Sequence, residues 1–404
     1  MKARSIAPGV DLLGAVDWDR RLFDSLIPLP DGTSYNAYLV RGSERTALLD
    51  TVDPAAADVL LRQLNEVAAL DYVVAHHAEQ DHSGTIPAVL ERYPTARVIC
   101  TPRAKGMLVD HLGLAGDRII TVEDGQPLSL GDKTLQFIHT PWVHWPETMV
   151  TYLPEDRILF SCDFFGSHQA TADVYADELR VYEPAKRYYA EIMMPFRTII
   201  QKNLAKLHGY EIWLIAPSHG PLYRRPEFIL EAYRDWTAGK PKNLVTLPHV
   251  TMHGSTRLMV DHLITALVER GVAVEPFGLE GVDLGKLATS LVDAASIVIG
   301  TPTVLAGAHP LAAHAAFLAN ALRPKAQHAA VVGSYAWGGK AAEQLTQMLG
   351  NLKVEVLPPV LCRGIPREAD FAALSALADA IASRHAELCG EPAAQSDKSE
   401  TART

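Results

Sequence analysis

The 404-residue chain is poor in cysteine: it has only Cys100, Cys162, Cys362 and Cys389, and no two form a Cys-x-x-Cys pair. That excludes a disulfide framework and a thiolate metal knuckle, so the four are expected as reduced thiols of a cytoplasmic protein. Positive charge is scarce as well, with 37 Lys and Arg against 47 Asp and Glu, a net charge of −10. Nucleic acid demands a basic face, so no nucleic-acid partner is expected. No apolar run approaches the roughly 18 residues of a membrane helix, and Met1-Lys2-Ala3-Arg4-Ser5 lacks the apolar stretch of a signal peptide. There is no internal repeat. What remains is ordinary for a globular protein, 48% hydrophobic and 21% charged, and long enough for two domains with separate cores.

Histidine and carboxylate are concentrated where the chain turns. His77-Ala78-Glu79-Gln80-Asp81-His82 packs four metal-ligand side chains into six residues, and His144, Asp163 and His219 follow at wide spacing. Seven ligands exceed the need of one ion. They suit two metals sharing a bridging carboxylate, an arrangement that usually does chemistry. Asp71-Tyr72-Val73-Val74-Ala75 reads as a buried strand, so the cluster begins where a rigid element ends. Ser83-Gly84-Thr85-Ile86-Pro87 then turns into a helix. His76 is superfluous to the pattern and reads as an ordinary loop residue. Cys162 abuts Asp163, but strand parity should point it away from the site.

These residues resemble the metallo-β-lactamase superfamily, whose usual motif is His-x-His-x-Asp-His. Here Glu79 replaces the second histidine, and His-x-Glu-x-Asp-His is the signature of its flavodiiron branch. A carboxylate in place of imidazole adds charge and a hard ligand, which favours paired irons over zinc. Thr140-Pro141-Trp142-Val143-His144-Trp145-Pro146, Leu159-Phe160-Ser161-Cys162-Asp163-Phe164-Phe165-Gly166 and Ile215-Ala216-Pro217-Ser218-His219-Gly220 match the family's later segments in order. The resemblance implies one iron on His77, Glu79 and His144, the other on Asp81, His82 and His219, and Asp163 as the bridge. It also makes His168, and Tyr188 or Tyr189, candidate catalytic neighbours of a bound gas, with His168 and Tyr189 as the chosen pair.

The resemblance implies an α/β chain: an αββα metallo-β-lactamase-like sandwich over 1–240, then a flavodoxin-like doubly wound parallel sheet over 241–388. A disordered tail is expected over 389–404, and no rubredoxin-like module is recognised. Asn36–Val40 and Thr46–Asp50 read as early strands, and a helical stretch runs from Tyr188 to Leu207. Ala238-Gly239-Lys240-Pro241-Lys242 looks like the linker.

In the second half, strand Asn243–Val250 leads into Thr251-Met252-His253-Gly254-Ser255-Thr256 and an amphipathic helix capped at Gly271. Met259, Leu263 and Leu267 form its stripe, with Val260, Ile264 and Val268 beside it. A hydroxyl-rich loop at a helix N-terminus suits an anion; the alternative is a plain N-cap by Ser255 or Thr256. Two further strands end in loops, one carrying Pro302, Thr303, Val304, Leu305, Ala306 and Gly307, the other Ser334, Tyr335, Ala336, Trp337, Gly338 and Gly339. Three such loops at the carboxyl edge of a parallel sheet resemble the FMN site of flavodoxin, with Tyr335 and Trp337 as stacking aromatics. Pro248 within the first strand departs from the pattern, and the strand is expected to start at His249 or to bulge there.

The family likeness implies electrons passing from FMN to two non-haem irons that reduce O2 to water, NO to N2O, or both. A rubredoxin, a pyridine-nucleotide reductase or a reduced deazaflavin would supply them. A head-to-tail homodimer, or a tetramer of such dimers, would bring flavin and metal together. The rivals are a zinc-dependent hydrolase with a flavodoxin-like appendage and a flavin carrier with a vestigial metal site. Glu79 opposes the first, and the complete ligand set opposes the second.

Overall fold

The computed structural model describes residues 2–389. The tail expected to be disordered therefore lies outside the described residues, apart from Cys389 at the end of the last helix. The chain divides into two compact units between Thr237 and Ala238.

The first unit holds two sheets. One has seven strands in the order Arg4–Ala7, Val10–Asp17, Thr33–Arg41, Thr46–Leu49, Tyr72–Val74, Arg97–Cys100 and Ile119–Thr121. The other has five: Pro127–Ser129, Thr134–His139, Met149–Leu153, Ile158–Cys162 and Leu214–Pro217. Alternation along the strands divides their side chains between two cores. Tyr38, Val40, Leu49, Val74 and Ile99 meet Phe137, Met149 and Phe160 between the sheets. Their strand neighbours Ala37, Leu39, Leu48, Val73 and Val98 face the helices carrying Leu60, Val89 and Leu108. Helices Glu178–Tyr188, Arg197–Leu207 and Pro226–Thr237 follow from the later part of the unit. Gly14 is required at its place: with φ of 121° and Tyr35 O only 1.9 Å from where a Cβ would sit, no side chain fits.

The second unit is a parallel sheet in the order Ala273–Gly278, Lys242–His249, Ala294–Val304 and His328–Tyr335, with the split edge Glu355–Val356 and Val360–Arg363 last. The strand order reverses at Lys242–His249 and Ala294–Val304, the flavodoxin-like switch point. Helices Ser255–Glu269 and Glu368–Cys389 cover one face, placing Met259, Leu263, Leu267, Leu374 and Ile381 against Val245, Leu247 and Val332. Val268 departs from the expected stripe and is 58% exposed. Pro248 neither starts nor bulges the first strand; Leu247, Pro248 and His249 stay in register with Pro276, Phe277 and Gly278. One missing amide donor costs on the order of 1 kcal/mol, less than the burial gained by a strand covered from Leu244 to His249.

Candidate metal centre and cofactor loops

Strand Tyr72–Val74 ends among the ligands, as its sequence suggests. Asp81 and His82 lie within a short helix, Gln80–Ser83, rather than in open loop. Asp163 follows Ile158–Cys162 and His219 follows Leu214–Pro217, two neighbouring parallel strands. The His219 segment is anchored across the sandwich. Asn36 donates to the carbonyls of Pro217 and Gly220 at 2.9 and 2.8 Å, Tyr38 OH to Pro217 O at 2.6 Å, and Gly220 N to Ser34 Oγ at 2.8 Å.

All seven residues meet. His77, Glu79, His144 and Asp163 form one group, and Asp81, His82 and His219 another, each with ligand atoms within 4.8 Å. In the first, Glu79 Oε2 lies 2.9 Å from His77 Nε2 and 3.1 Å from His144 Nε2, while Asp163 Oδ2 lies 3.6 and 3.3 Å from the same nitrogens. In the second, Asp81 Oδ2 lies 3.1 Å from His219 Nε2 and 3.4 Å from His82 Nε2, while Asp163 Oδ1 lies 3.4 and 2.9 Å from them. The two oxygens of Asp163 thus divide between the groups. Edges of 2.9–3.6 Å suit donor atoms about 2.1 Å from a shared centre. Both oxygens of Asp81, Asp163 Oδ1 and both nitrogens of His82 are buried without a hydrogen bond. Buried polar atoms left this way fit a metal pair.

The electrostatics agree. Burial opposes charge on His82, yet Asp81 and Asp163 raise it to about 10. Burial likewise opposes charge on His77, which Glu147 and Glu79 push well above its ordinary value, and on His144, which Asp163 and Glu79 raise. Against their own burial, the facing histidines hold Glu79 and Asp163 below the usual carboxylate range. Such a pocket attracts cations. A cleft of about 510 Å³ opens beside it, lined by Arg20, Phe23, Asp24, Glu79, Asp81 and Trp145.

His168 lies against the site, its ring 5.0 Å from that of His219, with Nδ1 2.9 Å from Thr33 Oγ1 and Nε2 buried without a partner. Tyr189 does not. Its hydroxyl donates to Trp236 O at 3.3 Å, and its ring packs on Tyr233 and Trp236. The tyrosine beside the site is Tyr188, whose ring lies 4.8 Å from His168 and 5.9 Å from His219. Helix Glu178–Tyr188 passes there into a wider turn, Tyr189–Met193; successive helical residues point about 100° apart, so only one of the pair faces the site.

Two other expectations need correction. Cys162 does not point away; its sulfur lies within 4.8 Å of ligand atoms of His82 and Asp163. Its φ of 51° and the register shift after Phe160 break the alternation on which parity rests. His76 is no ordinary loop residue either. It is 1% exposed, with Nδ1 2.8 Å from Asp50 Oδ2 and Nε2 2.7 Å from Thr151 Oγ1. Sequence reasoning missed Asp50, although a carboxylate closing the apolar strand Thr46–Leu49 was a usable signal. It also missed Glu147, three residues after His144, and Phe23, whose ring lies 5.3 Å from that of His168.

In the second unit the three loops converge. Thr256 Oγ1 lies 3.1 Å from Ser334 Oγ, and Lys340 N donates to Ala306 O at 3.0 Å. Helix Ser255–Glu269 is capped by Gly254 at φ 88°, without a side-chain cap bond, so the plain N-cap reading fails for Ser255 and Thr256. Thr251 instead accepts from Gly254 N at 3.1 Å. The second loop is shorter than expected. Pro302, Thr303 and Val304 are strand, and Leu305 and Ala306, both at positive φ, form a two-residue turn to Gly307–Ala308. Met252, His253 and Trp337 are exposed, Trp337 to 82%.

The first unit is of the metallo-β-lactamase class: residues 33–220 match the family described as ODP family beta lactamase. A nitric oxide reductase of Moorella thermoacetica is 35% identical over 95% of this chain and 99% of its own. Among solved structures, the rubredoxin oxygen:oxidoreductase of Desulfovibrio gigas matches with TM-score 0.92 at 28% identity, covering 96% of this chain and 99% of that one. The flavodiiron protein of Giardia intestinalis matches with TM-score 0.90 at 26% identity, covering 97% and 99%. The chain belongs to the flavodiiron family and is an oxidoreductase; the hydrolase alternative is not favoured.

Proposed function

We propose that this chain passes electrons from FMN to a non-haem di-iron centre that reduces O2 to water, NO to N2O, or both. The observation that carries the reading is the division of Asp163 between two ligand groups, Oδ2 toward His77, Glu79 and His144, Oδ1 toward Asp81, His82 and His219. A paired iron centre supplies more than one reducing equivalent to a single diatomic molecule. The carboxylates neutralise the ions, and the buried imidazoles fix their spacing. His168 and Tyr188 bound the site on the His219 side. The apolar ring of Phe23 restricts water beside His168.

FMN suits the second unit. The helix start, which has no side-chain cap bond, and the hydroxyls of Thr251, Ser255 and Thr256 offer neutral donors to one phosphate. Pro302–Gly307 and Ser334–Gly339 would flank the ring system, with Trp337 as the exposed aromatic. Among the described residues no helix is long and apolar enough to cross a membrane, consistent with work in the cytoplasm.

A head-to-tail homodimer, alone or paired into a tetramer, would place one chain's flavin at the partner's metals. Exposed apolar side chains support an interface at each region: Met252, Leu305 and Trp337 on the flavin loops, and Trp18, Leu22 and Leu26 around the strand pair that carries Phe23. A rubredoxin, or a reductase, is the proposed donor; one structural relative is named for rubredoxin. Parallel anaerobic turnover assays with NO and with O2, on protein carrying about two irons and one FMN per chain, test the reading. Stoichiometric zinc in active protein with no iron requirement sinks it. Mixing an Asp163→Ala variant with a variant altered at Ser255 and Thr256 should restore part of the activity through mixed dimers; inactive mixed dimers with each intact site loaded would reject the head-to-tail arrangement.

A further inference from the structure

Four imidazoles face the proposed metal positions through Nε2, and their far nitrogens are held differently. His219 Nδ1 donates to the Ser34 carbonyl at 2.7 Å. His82 Nδ1 is buried and has no hydrogen-bond partner. His77 Nδ1 lies 3.0 Å from Glu147 Oε1, and both side chains are fully buried. Among the described residues, Glu147 is the only carboxylate bonded to the far nitrogen of one of these histidines.

Glu147 is itself firmly placed. Its Oε1 also accepts from Ala78 N at 3.0 Å, which ties it to the residue between His77 and Glu79. Thr101 Oγ1 donates to its carbonyl at 2.9 Å. Its Oε2 is buried and has no partner. A carboxylate buried with one oxygen unsatisfied is costly unless positive charge stands close by. A cation on the far side of the His77 ring meets that need, and a carboxylate behind a ligating imidazole makes it the stronger donor.

We propose that Glu147 is a positioning residue that fixes the proton of His77 on Nδ1, frees Nε2 for metal, and makes the position of His77, Glu79 and His144 the more tightly held and more easily oxidised of the two. The inference rests on the di-iron reading above and goes beyond it, because it makes the two positions unequal. Three carboxylates act on this position: Glu79, Asp163 and, through His77, Glu147. The other has Asp81 and Asp163. Asp50 lies behind the second group, but its oxygens are occupied by His76 and Ser218.

The test compares holoenzyme with Glu147→Gln and Glu147→Ala. Iron content, iron release to a chelator, and the reduction potentials of the two irons by spectroscopically monitored titration are the readouts. Wild type should show two separated potentials. Glu147→Gln keeps an acceptor for His77 but removes the charge, so it should stay loaded while the lower potential rises and the separation narrows. Glu147→Ala should lose one iron in preference, with affinity there falling about 10–100-fold. Wild-type protein that takes up no iron overturns the di-iron reading and this inference with it. Iron-loaded wild type whose potentials and iron release are unchanged in both variants overturns the inference alone, as does loss of both irons together in Glu147→Gln.

Discussion

Buried histidines in the two units are driven in opposite directions. In the first unit His77, His82 and His144 become more basic than usual despite burial, because carboxylates face them. In the second, burial lowers His249, His328 and His385, the last to about 4. His385 is as buried as His82, at 1% exposure, but its ring nitrogens bond to Ser296 Oγ and Asn243 Oδ1 at 2.7 and 2.8 Å, both neutral. A buried histidine faced by two or more carboxylates marks a place for a cation; one faced by a single carboxylate, as His76 is by Asp50, or by hydroxyl and amide, is a strut. His168 tests the rule within the first unit. Burial and neighbouring His219 push it well down, and it belongs to neither ligand group.

The comparison breaks hardest at Asp163. Asp163→Ala removes the anion between the groups, and both iron content and activity should fall by more than about 100-fold, beyond what loss of a supporting carboxylate costs. Iron analysis beside turnover checks this; a fully loaded variant would refute the bridge.

Acid and base should next separate the two units once metal is chelated. The stability that His82 contributes is fully present below its ordinary value of 6.5 and is lost as pH rises to about 10. Glu79 and Asp163 contribute above their ordinary values and lose it as pH falls below them. His385 runs opposite to His82 and in a lower window: folded near 4 and ordinarily 6.5, it favours the unfolded chain as pH drops between those values. Each pH unit is worth at most about 1.4 kcal/mol per group. Melting of metal-free protein should therefore show the first unit weakening from pH 7 to 9 and the second unit weakening from pH 6.5 to 5. Parallel trends in both would defeat the comparison.

Substituting the strut gives a smaller effect. His385→Ala breaks two buried hydrogen bonds and should cost about 2–3 kcal/mol in the second unit while leaving iron content unchanged. Smallest is Tyr189→Phe, which loses one hydrogen bond to Trp236 O and should cost about 1 kcal/mol with activity intact. A collapse of turnover in Tyr189→Phe would restore Tyr189 as a catalytic neighbour in place of Tyr188.

That the seven residues of the candidate metal centre would meet was legible because His77, Glu79, Asp81 and His82 are local in sequence and the later three each follow an apolar strand. Three strands of the second unit and the loops after them were legible for a similar reason, since each expected loop follows a β-rich run. What failed depended on single dihedral angles. Parity misplaced Cys162 because its φ turns positive. Tyr188 and Tyr189 differ by one position on a helix whose turn widens between them. Pro302 looked like the start of a loop, yet the strand runs on to Val304. Glu147 escaped notice because its role appears only when His77, distant in sequence, is folded against it.

The ligands come from both sheets of the sandwich, His77 to His82 from the seven-stranded one, Asp163 and His219 from the five-stranded one. A metal pair there would rivet the sheets together. During synthesis His77 leaves the ribosome long before His219, so the second position stays open until strand Leu214–Pro217 has docked. Metal capture would then report that this half of the molecule has finished folding, and a chain stalled just before that strand would carry six candidate ligands and no closed cage to keep iron from solvent and stray oxidants.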